Sequence, residues 1–449
     1  MEFKKEQLAN GLDLIGEVNK SAKSAAVGFF VKTGSRDESE QINGVSHFLE
    51  HMLFKGTEKL SALEVNEAFD RTGAQFNAGT SEENTVFYAA VLPEYLVEVT
   101  GLWIELMRPA LRDDDFSIEK NVIKEEIAMY KDMPSFDVMD QCRSLHFDGH
   151  PCGNSILGSE TSIDNLAAEQ MRDYFARRYA PNNMVLACAG NFDWDQICSL
   201  AANSCSKWRQ QTVERKLEHF GGSKKKKRIE KSNLAREHIC LMSSGVSARD
   251  PRRFAASLLG VIVGDDVGSR FFWELVDKAL AEAATMQFGA MDGTGTFCSY
   301  IRCSVDNVTK VLDTISSIFQ SLSKNGITED ELRKAKNKVL SALVIKNELP
   351  MGRLGDLGSN WIYLEQYRTV EDDISSVKAV TIDDVNSLIE QFKPGDFTQL
   401  SIGPAQDREQ KTEDRKQKTE DREQKTEDRR QRTEDRGQRT DSERRKRYG

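Results

Sequence analysis

Cysteine pairs, long apolar runs and excess basic charge are all missing from this 449-residue chain, and each absence closes off a class of protein. The eight cysteines, at 142, 152, 188, 198, 205, 240, 298 and 303, show no C-x-x-C spacing and read as reduced, structural thiols. No stretch of 18 apolar residues occurs, so no membrane span is expected. The start, Met1-Glu2-Phe3-Lys4-Lys5-Glu6-Gln7, lacks the apolar core of a secretory signal, and the expected location is cytoplasmic. Lys and Arg number 62 against 72 Asp and Glu, a net charge of -10 that repels phosphate backbones and argues against a nucleic-acid partner. The basic run Lys224 to Arg228, after Gly221-Gly222-Ser223, reads as a solvated connector.

Histidine is scarce as well, with six in all, yet two of them stand in His47-Phe48-Leu49-Glu50-His51. The order H-x-x-E-H is that of an inverted zinc-binding motif. On a helix, positions i and i+4 lie one above the other, so His47 and His51 can reach one metal ion with Glu50 beside them as a candidate general base. The helix is predicted by Val45, Phe48, Leu49, Met52 and Leu53, which follow the i, i+3, i+4, i+7, i+8 template, with Gly56 placed to cap its end. That apolar stripe points away from His47, Glu50 and His51, which share the opposite face.

A catalytic zinc site takes a third protein ligand and leaves a position for water. The segment 113–130 opens with three acidic residues suited to a helix N-terminus. On its wheel Ile118, Val122, Ile123, Ile127, Met129 and Tyr130 form an apolar arc centred on Glu126. A carboxylate in such a place needs a compensating cation, which makes Glu126 the expected ligand. Glu125 projects to the arc's edge and is expected to be solvated. Glu119 lies seven residues before Glu126 on nearly the same line, either orienting a ligating histidine or forming a buried ion pair.

The motif, with Glu126 following after 74 residues (52–125), resembles that of the pitrilysin/insulinase family of zinc peptidases. The likeness is to the half-sized members, which include the mitochondrial processing peptidase and bacterial relatives. It extends to Asn10-Gly11-Leu12, Gly34-Ser35-Arg36, Phe54-Lys55-Gly56-Thr57, Asn77-Ala78-Gly79-Thr80-Ser81, His150-Pro151, Ile156-Leu157-Gly158 and Asn183-Met184-Val185. The resemblance implies one zinc ion per chain held by His47, His51 and Glu126, with Glu50 as general base and Glu119 in support. It implies an endopeptidase acting on short or unfolded polypeptides inside a chamber closed by two halves. The segments 76–81 and 85–92, rich in β-branched and aromatic residues, read as a hairpin. By resemblance the strand carrying Asn77 and Ala78 offers its edge to the substrate.

The expected fold is α+β: two duplicated α/β sandwiches with largely antiparallel sheets. Expected boundaries are 1–215 for the zinc-binding half, 216–230 for a linker, 231–404 for a homologous half without zinc, and 405–449 for a charged tail. The second half resembles the family around Gly268-Ser269-Arg270-Phe271-Phe272-Trp273-Glu274-Leu275. Where relatives continue into a segment supplying a substrate-holding Arg and Tyr, this chain has Asp277-Lys278-Ala279-Leu280-Ala281-Glu282. That departure, and a chain carrying one pair of halves, point to a homodimer or to pairing with a related chain. The other reading, a non-catalytic subunit that presents substrate or supports an assembly, sits poorly with a complete set of ligands and base. The tail repeats Gln-Lys-Thr-Glu-Asp-Arg from Gln410 with a period of seven but offers no apolar position, so disorder or a solvated, fraying helix is expected rather than a coiled coil.

Overall fold

Seven consecutive buried residues in each of Ala25–Val31 and Met184–Gly190 announce a sheet covered on both faces. The computed structural model describes residues 1–215, 217 and 220–405. In the first sheet, β1 (Glu2–Gln7), β2 (Asp13–Val18), β3 (Ala25–Val31), β4 (Gln75–Thr80), β5 (Thr85–Val91) and β6 (Met184–Gly190) are ordered β1-β2-β6-β3-β5-β4. All its pairings are antiparallel except β2 with β6. In the second, β7 (Lys226–Glu230), β8 (Glu237–Gly245), β9 (Ala283–Ala290), β10 (Gly295–Cys303) and β11 (Thr398–Gly403) are ordered β7-β11-β8-β10-β9. The run read as a linker therefore ends in a strand, because the alternating side chains of 226–230 can add to a sheet edge once a neighbour is present.

Eight helices accompany the first sheet: α1 (Val45–Leu53), α2 (Ala62–Thr72), α3 (Leu96–Leu106), α4 (Asp113–Lys131), α5 (Pro134–Phe147), α6 (Glu160–Asn165), α7 (Ala168–Arg178) and α8 (Trp194–Cys205). Six follow: α9 (Arg253–Gly264), α10 (Val308–Asn325), α11 (Glu329–Asn347), α12 (Pro350–Leu364), α13 (Val370–Ala379) and α14 (Ile382–Phe392). The duplication is visible in the topology. The four-strand units β6-β3-β5-β4 and β11-β8-β10-β9 share one spatial order, and both α5 and α12 open with a proline after a long helix.

The two halves exchange helices. Leu354, Leu357, Trp361 and Ile362 of α12 pack on Ile15, Phe30, Val185 and Ala187, closing the outer face of the first sheet. In return α5 lies on β8, with Cys142 Sγ 3.5 Å from the Cys240 carbonyl and His146 Nδ1 3.2 Å from Thr398 Oγ1. Two buried ion clusters fasten the exchange. Arg353 grips Glu17 through Nε (2.9 Å) and Nη2 (2.6 Å), with Tyr367 donating to the same carboxylate. Glu83, on the β4–β5 turn, receives Arg36 at 2.5 Å, the Asp292 N–H and the Tyr363 hydroxyl. A buried charge pair is costly to break from one side, so these contacts fix the placement of α12 and the β9–β10 turn.

Met1–Ile229 and Arg236–Ile402 form one compact unit, and Glu230–Ala235 groups with the described residues 403–405. The repeats of the tail lie outside the described residues. Among the described residues no helix is long and apolar enough to cross a membrane.

Two glycines of α12 separate packing from helix propensity. A Cβ at Gly358 would collide with the Phe30 ring, whereas one at Gly355 would meet open space. Gly358→Ala is expected to destabilise by about 1–3 kcal/mol and Gly355→Ala to stabilise by up to about 1 kcal/mol, read from urea midpoints. Burial pulls the pKa of His146 down to about 4, so its neutral form belongs to the fold. A depressed folded pKa gives stability that is complete above the unfolded value near 6.5 and is lost as pH falls toward 4, roughly 3 kcal/mol in all. His146→Gln is expected to flatten the acid limb of the stability curve by that amount.

Candidate metal centre

α1 begins without a capping side chain of its own, because Gly44 at its N-terminus sits at φ +94, where a Cβ would strike the Leu157 carbonyl. The buried carboxylate of Glu38 supplies the cap. Its Oε2 accepts from Gly44 N–H (2.7 Å) and Asn43 Nδ2 (3.0 Å), and its Oε1 accepts from Ser46 N–H (2.7 Å). Val45, Phe48, Leu49, Met52 and Leu53 are each at most 1% exposed, and Phe48 stacks on Phe116 of α4 with ring centroids 4.8 Å apart. The helix stops at Leu53 with Phe54 as its C-cap. Gly56, expected as the cap, turns the chain two residues later at φ +102.

With the apolar stripe fixed, His47, Glu50 and His51 face α4. There His47, His51 and Glu126 offer ligand atoms that all lie within 4.8 Å of one another, a group able to hold a metal ion. Glu126 Oε2 is 3.8 Å from His47 Nε2 and 3.5 Å from His51 Nε2. The apolar arc drawn on the wheel of α4 needs correcting. Phe116, Glu119, Ile123 and Ile127 are buried, but Ile118, Val122 and Met129 are exposed at 62, 45 and 52%. A wheel counts apolar residues without knowing where neighbours stand, and α4 is covered chiefly where α1, α5 and α6 pack on it. Glu126 therefore lies at the edge of the buried face, 21% exposed at its side chain, and Glu125 is exposed.

Both alternatives for Glu119 are realised at once. Its Oε1 lies 2.9 Å from His51 Nδ1 and its Oε2 2.5 Å from Lys55 Nζ, so it orients an imidazole and closes an ion pair. Burial pushes the Glu119 pKa up, but the hydrogen bonds from His51 and Lys55 outweigh it and hold the carboxyl below its usual range. Burial pulls His51 down, yet Glu119 and Glu126 together leave it raised. Burial, aided by His51, drives His47 down to about 3, keeping it a neutral donor. Burial raises Glu50 and Glu126, with Glu119 adding to the latter.

Asn77 and Ala78 lie outside the ligand cluster on β4, the free edge of the first sheet. Asn77 Oδ1 accepts from the Ala78 N–H at 2.9 Å. The same strand places Thr80 against Glu50, its hydroxyl donating to Oε2 at 2.6 Å. Neither Glu38 nor Thr80 was marked by the sequence as touching the site, since nothing local ties residue 38 to a helix end or residue 80 to residue 50. Lys55 could have been found, for it continues the i, i+4 line of His47 and His51.

Residues 15–160 match the profile described as Insulinase (Peptidase family M16), and residues 165–339 that of the Peptidase M16 inactive domain. YmxG of Bacillus subtilis (strain 168), named an uncharacterized zinc protease, is 31% identical over 409 residues, spanning 90% of this chain and 98% of its own. The chain belongs to the insulinase family, peptidase family M16. Its fold is that of solved M16-like structures. A protease from Helicobacter pylori superposes with a TM-score of 0.82 at 20% identity, covering 90% of this chain and 100% of its own. A chain of complex III2 from Candida albicans does so with a TM-score of 0.78 at 19% identity, covering 89% and 95%.

The dependence of the M16 motif helix on its borrowed cap is testable. Glu38→Ala leaves the Gly44 and Ser46 N–H groups without an acceptor in a buried place, and a loss of about 3 kcal/mol is expected from chemical denaturation.

Proposed function

We propose that this chain is a zinc-dependent endopeptidase that hydrolyses peptide bonds of short or unfolded polypeptides, with one zinc ion per chain held by His47, His51 and Glu126. The observation that carries this reading is the convergence of three potential ligand atoms, from His47, His51 and Glu126, within 4.8 Å of one another. The residues suit the ion. Ligands about 2.0–2.1 Å from a tetrahedral zinc stand roughly 3.3 Å apart, close to the 3.5 and 3.8 Å that separate Glu126 from the two imidazoles. The hydrogen bond that His51 Nδ1–H donates to Glu119 leaves Nε2 for the metal, an arrangement typical of ligating histidines.

A zinc ion there supplies Lewis acidity, polarising a carbonyl and lowering the pKa of a water toward about 7. Glu50 stands outside the ligand set, and its carboxylate takes the proton of the attacking water and hands it to the leaving amine. Asn77 and Ala78, on the free edge of β4, bind substrate as an added strand, which gives affinity through main-chain groups with little demand on sequence. The chain works in the cytoplasm as a homodimer or beside a related chain that completes the chamber, since Asp277 to Glu282 lacks the Arg and Tyr its relatives use to hold substrate. A purely supporting, non-catalytic role is disfavoured by the retention of both histidines, Glu126 and Glu50.

Three substitutions separate the roles, with zinc measured by mass spectrometry and hydrolysis on a randomised mixture of quenched-fluorescent peptides. Glu50→Gln is expected to keep zinc and to lose hydrolysis by on the order of 10²–10⁴-fold, because an amide cannot accept the water's proton. Glu126→Gln is expected to lose zinc, and Glu125→Gln to change neither quantity. Zinc surviving Glu126→Gln but vanishing in Glu125→Gln would refute the ligand set, and a fully active Glu50→Gln would refute the mechanism.

A further inference from the structure

Glu50 takes its orientation from outside its own helix, as His51 does from Glu119. Among the described residues its hydrogen-bond partner is Thr80, which donates its hydroxyl at 2.6 Å. The hydroxyl is committed to that role by its surroundings. Its near neighbour Thr85 Oγ1, 3.5 Å away, donates to the Thr33 carbonyl, and the Glu50 carboxylate can only accept.

Thr80 also belongs to the edge of the sheet. Ser81 N–H donates to the Asn84 carbonyl to close the hairpin, so in the alternating ladder of β4 and β5 the residues at 76, 78 and 80 turn their backbone groups away from β5. The Ala78 N–H, satisfied by the Asn77 side chain rather than by β5, agrees with that alternation. One residue therefore touches both the free edge and the carboxylate. Resting on the peptidase reading above, we infer that Thr80 is a positioning residue for hydrolysis: its hydroxyl pins one oxygen of Glu50, leaving the other aimed at the attacking water and in register with a peptide laid along β4. A glutamate with three free torsions spends little of its time in one productive geometry, and a charge-assisted hydrogen bond removes most of that freedom.

Thr80→Val keeps the β-branched shape suited to a strand and removes only the donor, while Thr80→Ser keeps the donor. The test uses the zinc-loaded full chain and one quenched-fluorescent peptide chosen from the randomised mixture as cleaved by the unaltered protein. With Thr80→Val, kcat is expected to fall about tenfold, KM to stay within about twofold, and zinc content and melting temperature to hold; Thr80→Ser is expected to recover kcat to within about threefold. Unchanged kcat in Thr80→Val, an equal loss in Thr80→Ser, or loss of zinc or of melting temperature in Thr80→Val each overturns the inference while leaving the peptidase reading intact. An unaltered chain that binds zinc and cleaves no peptide overturns that reading, and the inference with it.

Discussion

Five ionisable side chains from two helices, His47, Glu50, His51, Glu119 and Glu126, crowd into a largely buried place, where each charge must find a counterpart or be suppressed. Glu119 is answered by His51 and Lys55, and Glu50 by Thr80. His47 and Glu126 stand 3.8 Å apart, and burial shifts both toward the neutral form. The rest of the first half serves to hold this unfavourable cluster together. The Glu38 cap, the Phe48–Phe116 stack and the fully buried stripe of α1 leave its polar face no direction but that of α4.

What could be read in the sequence follows from how local each signal is. The α1 stripe and the pair His47 and His51 are set by one helical period, and the hairpin at β4 and β5 by strand composition and a tight turn. The arc that marks Glu126 does not exist as drawn, since Ile118, Val122 and Met129 face outward. Glu126 nonetheless stands beside Ile123 and Ile127, the part of the arc that is buried, and so comes near His47 and His51. Glu38, Thr80 and the exchange of α5 and α12 left no mark, for each depends on a partner whose position is decided by the fold. Arg353 and Glu17 are 336 residues apart in the chain and meet with both charges buried. No local pattern in either segment names the other.

The second copy of the architecture shows the alternative to a polar helix face. In the place after β8 that α1 takes after β3, α9 is apolar on nearly every side, with eight of its residues buried. Its Gly264 lets it approach the backbone of Met286 on β9 so closely that a Cβ would overlap the strand. A helix seated that tightly on its sheet has no room for imidazoles between them. The two halves share a topology and differ in whether the first helix is pressed onto the edge-side strands or lifted to hold polar groups over them.

The exchanged helices also bear on how the protein is made. A ribosome that has released the first 215 residues has delivered a complete six-stranded sheet and the whole motif, yet Phe30, Val185 and Ala187 still lack their cover, which arrives only with Leu354 to Ile362. The first half must therefore wait, with apolar strands bare, for more than a hundred further residues of synthesis. Contacts so distant in sequence slow folding and lengthen exposure to aggregation. The newborn chain is thus expected to be a client of chaperones until α12 docks, whatever the stability of the finished molecule.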